Sequence, residues 1–297
     1  MHAQRLMALA LLILLASPMQ AEDERRVVTV TYGHFPPWIS KELPDGGYLR
    51  SLITKAFKHS GYDVAWEFLP WKRALKKVRE GDADASAAWA SHPERNRAFR
   101  LSIPVYRETN LLFRRHGTAA IVWDALCMEP HKVRVAIPLG YTRPPLLEQM
   151  NDNGCIDLIK VRTASSSLKM LARGRVEYAY SGLYSGLYAR NRIWSEDSSP
   201  ILPGELILTA NQGHVLFNPH NADSEEKVAA LNKGLQHLFH NGEALALREK
   251  LLIPMVSGLS ADPADPADPG LPSIPSESLK ELPSAMLLSF TQDPPRQ

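Results

Sequence analysis

The stretch Gly81-Asp82-Ala83-Asp84-Ala85-Ser86-Ala87-Ala88-Trp89, with its continuation Ser91-His92-Pro93-Glu94-Arg95-Asn96-Arg97 and Ser102-Ile103-Pro104-Val105-Tyr106, decides the fold. Its glycine closes a helix, and the small, apolar run after it reads as a short buried strand over Ala83 to Trp89. A polar loop then carries an arginine ahead of a second strand. Open α/β sheets bind ligands in the crevice at the carboxyl ends of their strands, which is where this loop stands. An arginine there is a permanently charged fork that fits a carboxylate or a phosphate. The stretch therefore predicts a pocket for a small anion-bearing molecule.

Working outward, the segments before it alternate in type. Arg26 to Tyr32 is β-branched and reads as a strand, and Gly33-His34-Phe35-Pro36-Pro37-Trp38 reads as a stiff turn holding two aromatics. Tyr48 to Ser60 carries the helical stripe Leu49, Leu52, Ile53, Ala56 and Phe57, closed by Gly61. Val64 to Leu69 is a second strand, and Pro70 opens a helix at the place where proline fits best. Such alternation implies βαβ units on a parallel sheet.

Downstream, Val105 to Arg114 reads as a long strand leaving this first set. A second series follows: a strand at Val133, a helix over Pro144 to Asn151, a strand at Ile156, a helix over Ser165 to Arg173 and a strand over Val176 to Tyr180. Two extended pieces, Glu205 to Thr209 and His214 to Phe217, bring the chain back to helices over Ser224 to Phe239 and Gly242 to Leu252. Two α/β sets crossed twice make a hinge, and a hinge between α/β lobes traps ligands.

The bounds agree. A formal net charge of +2 over 297 residues excludes the concentrated basic face of a nucleic-acid binder. Of the ten histidines none stands four residues from another, so the sequence offers no metal-ligand pair of that spacing and predicts no metal or cofactor. The basic start at His2 and Arg5, the apolar run Leu6 to Ala16 and the small Ala21 describe a cleavable export signal over residues 1–21, hence a periplasmic protein. The only cysteines, Cys127 and Cys155, each precede a predicted strand. They bridge if those strands are parallel neighbours, and otherwise are two buried thiols. Residues 256–297, with the repeat Ala261-Asp262-Pro263 onward, read as a proline-rich disordered tail.

In this order and spacing, Phe35-Pro36-Pro37-Trp38, Pro70-Trp71-Lys72-Arg73-Ala74-Leu75, Gly81 to Ala85, Pro93-Glu94-Arg95 with Phe99, Ser102, Pro104 and Tyr106, Gly140-Tyr141-Thr142, and Leu171 to Tyr178 resemble the extracytoplasmic solute-binding proteins of family 3, over roughly Val27 to Leu252. The resemblance implies an α/β, two-lobed periplasmic-binding-protein-like (type II) fold. Each lobe is a mixed, mainly parallel sheet flanked by helices, with two hinge crossings. Residues 22–114 plus 213–255 would form lobe 1 and 115–212 lobe 2. It implies that Arg95 grips a ligand carboxylate and that Thr142 donates to the same group. Phe35 would cover the ligand, with Trp38 and Trp71 extending that wall and Tyr141 beside them. For Arg95 the plain alternative is a tie to its own loop, and for Trp71 it is core packing.

One departure bears on the ligand. Where amino-acid binders of this family carry an aspartate after the strand equivalent to Val176–Tyr180, this chain has Ser181-Gly182-Leu183. The ammonium partner must come from elsewhere (Glu177 lies too deep in its strand), or the ligand lacks an ammonium. Ser181 and its small neighbours leave room for a bulkier group. The reading is a monomeric, non-enzymatic binder of a small carboxylate such as an amino acid, working with an ABC permease in the inner membrane. Its alternatives are a sensor acting on a receptor and a cyclohexadienyl dehydratase-like enzyme, for which His34, His92 and Glu94 are the nearest acid–base candidates.

Overall fold

Strand β1 (Arg26–Tyr32) is the first element of a computed structural model that describes residues 26–256 except 119, 120, 122, 129, 130, 140, 142, 196 and 197. Its Val28 and Val30 are fully buried, because residues two apart share one face of a strand and that face packs on the core. Helix α1 (Tyr48–His59) buries the predicted stripe Leu49, Leu52, Ile53, Ala56 and Phe57. Each large member contributes about 1.5–3 kcal/mol by leaving water. Strand β2 (Tyr62–Phe68), helix α2 (Trp71–Glu80) and strand β3 (Ala85–Ala90) complete the first set. Gly81 ends α2 at φ 85, a left-handed cap that suits glycine, with Asp82 N donating back to Lys77 O. In the opening motif, Asp84 accepts from Thr29 N in β1 at 2.7 Å and from Lys227 Nζ at 2.6 Å, so its role is to fasten the sheet to a late helix.

The run after β3, read as a loop from sequence, forms helix α3 (Pro93–Ala98). Pro93 occupies the first turn, and the His92 ring accepts from Glu94 N, so both residues serve the helix start. Then come β4 (Arg100–Leu101), β5 (Tyr106–Arg115), α4 (Trp123–Leu126), β6 (Val133–Pro138), α5 (Pro145–Asp152), β7 (Ile156–Val161), α6 (Ala164–Ala172) and β8 (Tyr178–Gly182). The chain closes with α7 (Leu183–Asn191), β9 (Ile201–Phe217), α8 (Ser224–His240) and α9 (Glu243–Leu251). The small, hydroxyl-rich run at 183–186 is thus the start of helix α7. The two return pieces are one strand, because Asn211, Gln212 and Gly213 pair with Glu108, Arg107 and Tyr106 and so continue the ladder.

The strands form one mixed sheet in the order β2-β1-β3-β9-β5-β8-β6-β7, with β4 beside β9. β1 runs parallel to β2 and β3, and β6 parallel to β7 and β8. Long β5 and β9 pair antiparallel between these two half-sheets and are the two predicted crossings. One core lies under both halves, from Val28, Leu52 and Phe57 through Phe113 to Leu168, Tyr184 and Leu235. A second fills the other face of the later half, around Leu112, Val135, Ile137, Leu147 and Tyr180. Among the described residues no helix is long and apolar enough to cross a membrane. The proposed export signal at 1–21 and all but Val256 of the proposed tail lie outside the described residues.

Val133 pairs with Ile156 at the start of β6 and β7, and this brings Cys127 and Cys155 together in a disulfide. The bridge spans 28 residues and sits at the edge of the second core. Closing a loop of that length removes unfolded-chain entropy equivalent to about 3–4 kcal/mol. The double substitution Cys127→Ala and Cys155→Ala is expected to lower unfolding free energy by about that amount. A urea titration that gives the same unfolding free energy for both chains would refute it.

Candidate functional site

The loop after β1 shows how local sequence sorts side chains. Phe35 and Ile39 exchange backbone hydrogen bonds at 2.9 and 3.0 Å, closing the turn around Pro36 and Pro37. The closure leaves Phe35 facing outward and drives Trp38 into the core, where it is 2 % exposed. Helix α2 starts beside this loop, and Trp71 lies flat on it. A Cβ at Gly33 would stand 2.3 Å from the Trp71 ring, so only glycine allows the approach. Trp71 meets Trp89 edge-on at 5.1 Å. Ala88 has φ 66 at a break in the β3–β9 register, a bulge that turns the end of β3 toward the same space.

That space is a cleft of about 650 Å³ between the two half-sheets. Phe35, Trp71, Trp89 and Arg95 line it from the first set, and Tyr141, Arg162, Thr163, Tyr188 and Arg192 from the second. From the crossing strand come Tyr106, Glu108 and Asn110, spaced by two so that the pleat sends all three to one face. Arg95, on α3, is half-buried; its Nε and Nη2 donate to Ala90 O at 3.1 and 2.8 Å, and its guanidinium lies over Trp89 at 5.6 Å. Among the described residues no carboxylate bonds to it. Burial pulls its pKa down from the usual value, but a guanidinium stays charged. Thr163 caps α6 by accepting from Ser166 N at 3.1 Å, so α6 begins at the cleft wall with its free backbone N–H groups.

The structure therefore brings Arg95, Phe35, Trp71 and Tyr141 to one cleft. It does not bring Trp38 or Ser181 there. Trp38 is packed among Tyr48, Tyr106 and Tyr184 at ring distances of 6.3, 5.1 and 4.8 Å, because the loop closure points it away from the cleft. Ser181 is 1 % exposed, since β8 is covered on both faces at that position. Gly140 and Thr142 lie outside the described residues. Of the acid–base candidates, His34 lines the cleft and bonds Ser40 Oγ at 2.9 Å, whereas His92 and Glu94 serve the start of α3 and do not line it. Glu177 bonds Arg134 at 2.7 Å on β6.

The residue that sequence reasoning passed over is Glu108. It is 5 % exposed yet lines the cleft. Its Oε2 accepts from Trp38 Nε1, and its Oε1 from Tyr184 N at 2.9 Å and Ser185 N at 3.5 Å, at the start of α7. Its one advance signal was the alternating Tyr106-x-Glu108-x-Asn110 leading into the apolar Leu111-Leu112-Phe113 of the same strand. Burial pushes its carboxyl up to about 7, against those three donors, which favour the ionised form.

Between the ordinary value of 4.5 and about 7 the folded chain holds a proton that the unfolded chain has released, so stability contributed by this group falls as pH rises through that window. Ligand-free wild type is expected to lose up to ~3 kcal/mol of unfolding free energy across it relative to Glu108→Gln, at about 1.4 kcal/mol per pKa unit. Parallel stability–pH curves for the two chains would show that this carboxyl is not raised.

No curated protein matches the chain. Among solved structures it resembles a histidine kinase sensor domain similar to periplasmic binding proteins, at 22% identity over 77% of this chain and 97% of that one, with a TM-score of 0.58. It also resembles AbpA, an amino acid ABC transporter substrate-binding protein from Streptococcus pneumoniae bound to L-arginine, at 18% identity over 77% and 96%, TM-score 0.60. A third, the ancestral amino acid-binding protein AncCDT-1, a precursor of cyclohexadienyl dehydratase, matches at 16% over 77% and 96%, TM-score 0.57. At these identities the likeness establishes the two-lobed fold. The family model of bacterial extracellular solute-binding proteins, family 3, matches residues 27–252, and the chain belongs to that family.

Proposed function

We propose that this chain captures a small carboxylate-bearing solute in the cleft and hands it to an ABC permease. The observation that carries this is Arg95: a half-buried guanidinium in an aromatic-walled cleft, held in place by Ala90 O and bonded to no carboxylate among the described residues. Holding a cation in partial burial without a counter-charge is costly unless a ligand supplies one. The neighbouring start of α6 offers backbone donors to the same kind of anion. Arg95, Arg162 and Arg192 against Glu42 and Glu108 leave the lining with three cations to two acids, so a carboxylate on the ligand is favoured. L-Arginine bound in the solved relative shows that this fold accommodates an amino acid.

In this reading residues 22–114 with 213–255 close on residues 115–212 about β5 and β9. A ligand touching both sides gains its full interaction only when they are together, which shifts the population toward closure. The protein acts as a monomer, exported through the signal at 1–21 and delivered to the periplasm. A second reading is a sensor that signals its ligand to a receptor, favoured by the similarity to a histidine kinase sensor domain. We take the chain as a binder and not an enzyme, since the cleft's aromatic walls and fixed guanidinium suit capture.

Arg95→Ala is expected to weaken binding of any carboxylate hit by about ten- to hundredfold, the range for loss of a charge-assisted hydrogen bond. Titration calorimetry after a thermal-shift screen of amino acids, oxo-acids, short peptides and polyamines measures it. Unchanged affinity in Arg95→Ala would remove the anchor assignment.

A further inference from the structure

Glu108 is a carboxylate buried in a ligand cleft whose bonding partners are all neutral: the Trp38 indole N–H and the amides of Tyr184 and Ser185. Among the described residues no lysine, arginine or histidine pairs with it. Three N–H groups hold the carboxylate in place without neutralising it, and a carboxylate has room for about four. Its setting is built around it. Gly182 is the cap position just before α7, and it offers no side chain to cap that helix. A Cβ there would fall 2.3 Å from Glu108 Oε1 and 2.6 Å from its Cδ and Cγ. Glu108 thus fills the volume a side chain at 182 would take, and it caps α7 from the neighbouring strand. The rings of Tyr106, Tyr141 and Tyr180 stand close enough to feel its charge, and aromatic faces also attract cations.

We propose that Glu108 is the group that binds a cationic amine of the solute, reaching it from the crossing strand β5 because Gly182 leaves the space open. The inference rests on the reading of the cleft as a solute site and sharpens it. The solute carries an amine together with its carboxylate, held by acid and arginine on different elements. Burial, which lifts the carboxyl toward neutrality, is offset when a cation docks against it.

Calorimetric titration of the full chain with the twenty standard L-amino acids, and with the 2-oxo acid of each one that binds, reads the amine directly. An amine partner makes the oxo acid bind about tenfold or more weakly than its amino acid. In Glu108→Gln that ratio is expected to collapse toward one, with oxo-acid affinity changed only a few-fold. A purely structural cap would move stability and leave the ratio alone. The paired change Glu108→Ala with Gly182→Asp places a carboxylate beside the same two amides from the helix's own cap position, and it is expected to recover part of the ratio. Equal binding of amino and oxo acids by wild type, or an unchanged ratio in Glu108→Gln, overturns the assignment while leaving the Arg95 anchor standing. If neither class binds wild type, the carboxylate reading fails and takes this inference with it. Should Glu108→Gln not fold by circular dichroism, the wild-type ratio and the paired variant decide.

Discussion

The antiparallel pairing of β5 with β9 is the constraint on which the rest of the structure depends. From Tyr106 against Gly213 to Arg115 against Ile201, it is, among the described residues, the ladder that joins the two half-sheets in the strand order. Pleating then fixes what each residue of β5 does. Leu111 and Phe113 enter the core shared by both halves, Leu112 enters the core of the later half, and Tyr106, Glu108 and Asn110 face the cleft. The register shifts between Asn110 and Phe113 add twist just beyond the cleft residues. A single-residue slip would exchange the two faces and bury arginine and threonine where the cleft groups now stand.

Two opposite charges occupy this cleft without pairing to each other. Arg95 is held by a carbonyl and Glu108 by N–H groups, so each is oriented by neutral partners and neither is paired with an opposite charge. Tyr106 lies within the field of both. Had the two met in an ion pair, each would have lost its capacity to attract a ligand group, and the cleft would have been a closed structural feature. Keeping them apart on α3 and β5 costs stability in the empty protein and supplies selectivity when a ligand with both charges arrives.

How far the sequence reveals this depends on the range of the interaction. The helical stripe on α1 and the β-branched run of β1 are local patterns, and both elements lie where the pattern puts them. The disulfide was legible because each cysteine precedes a strand and parallel neighbours share their starts. Arg95 was legible through its place after β3. Trp38 was not, because a bridge between Phe35 and Ile39 decides which of two aromatics in one turn goes inward. Glu108 was not, because its donors come from 70 and 76 residues away and no local period announces a buried acid. Helix α3 was hidden by its polar composition. Nothing in its pattern distinguishes an exposed helix of six residues from a loop.

The absent acid after β8 and the buried acid on β5 are best understood as one fact. A helix that begins at a cleft needs an acceptor for its first amides, and α7 begins at a glycine that has none. An acid at 182 would cap the helix from its own chain and collide with the side chain at 108, as the 2.3 Å approach shows. An acid at 108 caps it from the crossing strand and forbids a side chain at 182. The two positions, diagonal neighbours across β5 and β8 with Glu108 two residues before the Asn110 that pairs with Gly182, therefore exclude one another. What changes between the arrangements is the element that carries the charge. Placed on β5 and bonded to Trp38 of the first set and to α7 of the second, the carboxylate is tied to both sides of the cleft at the strand about which they meet.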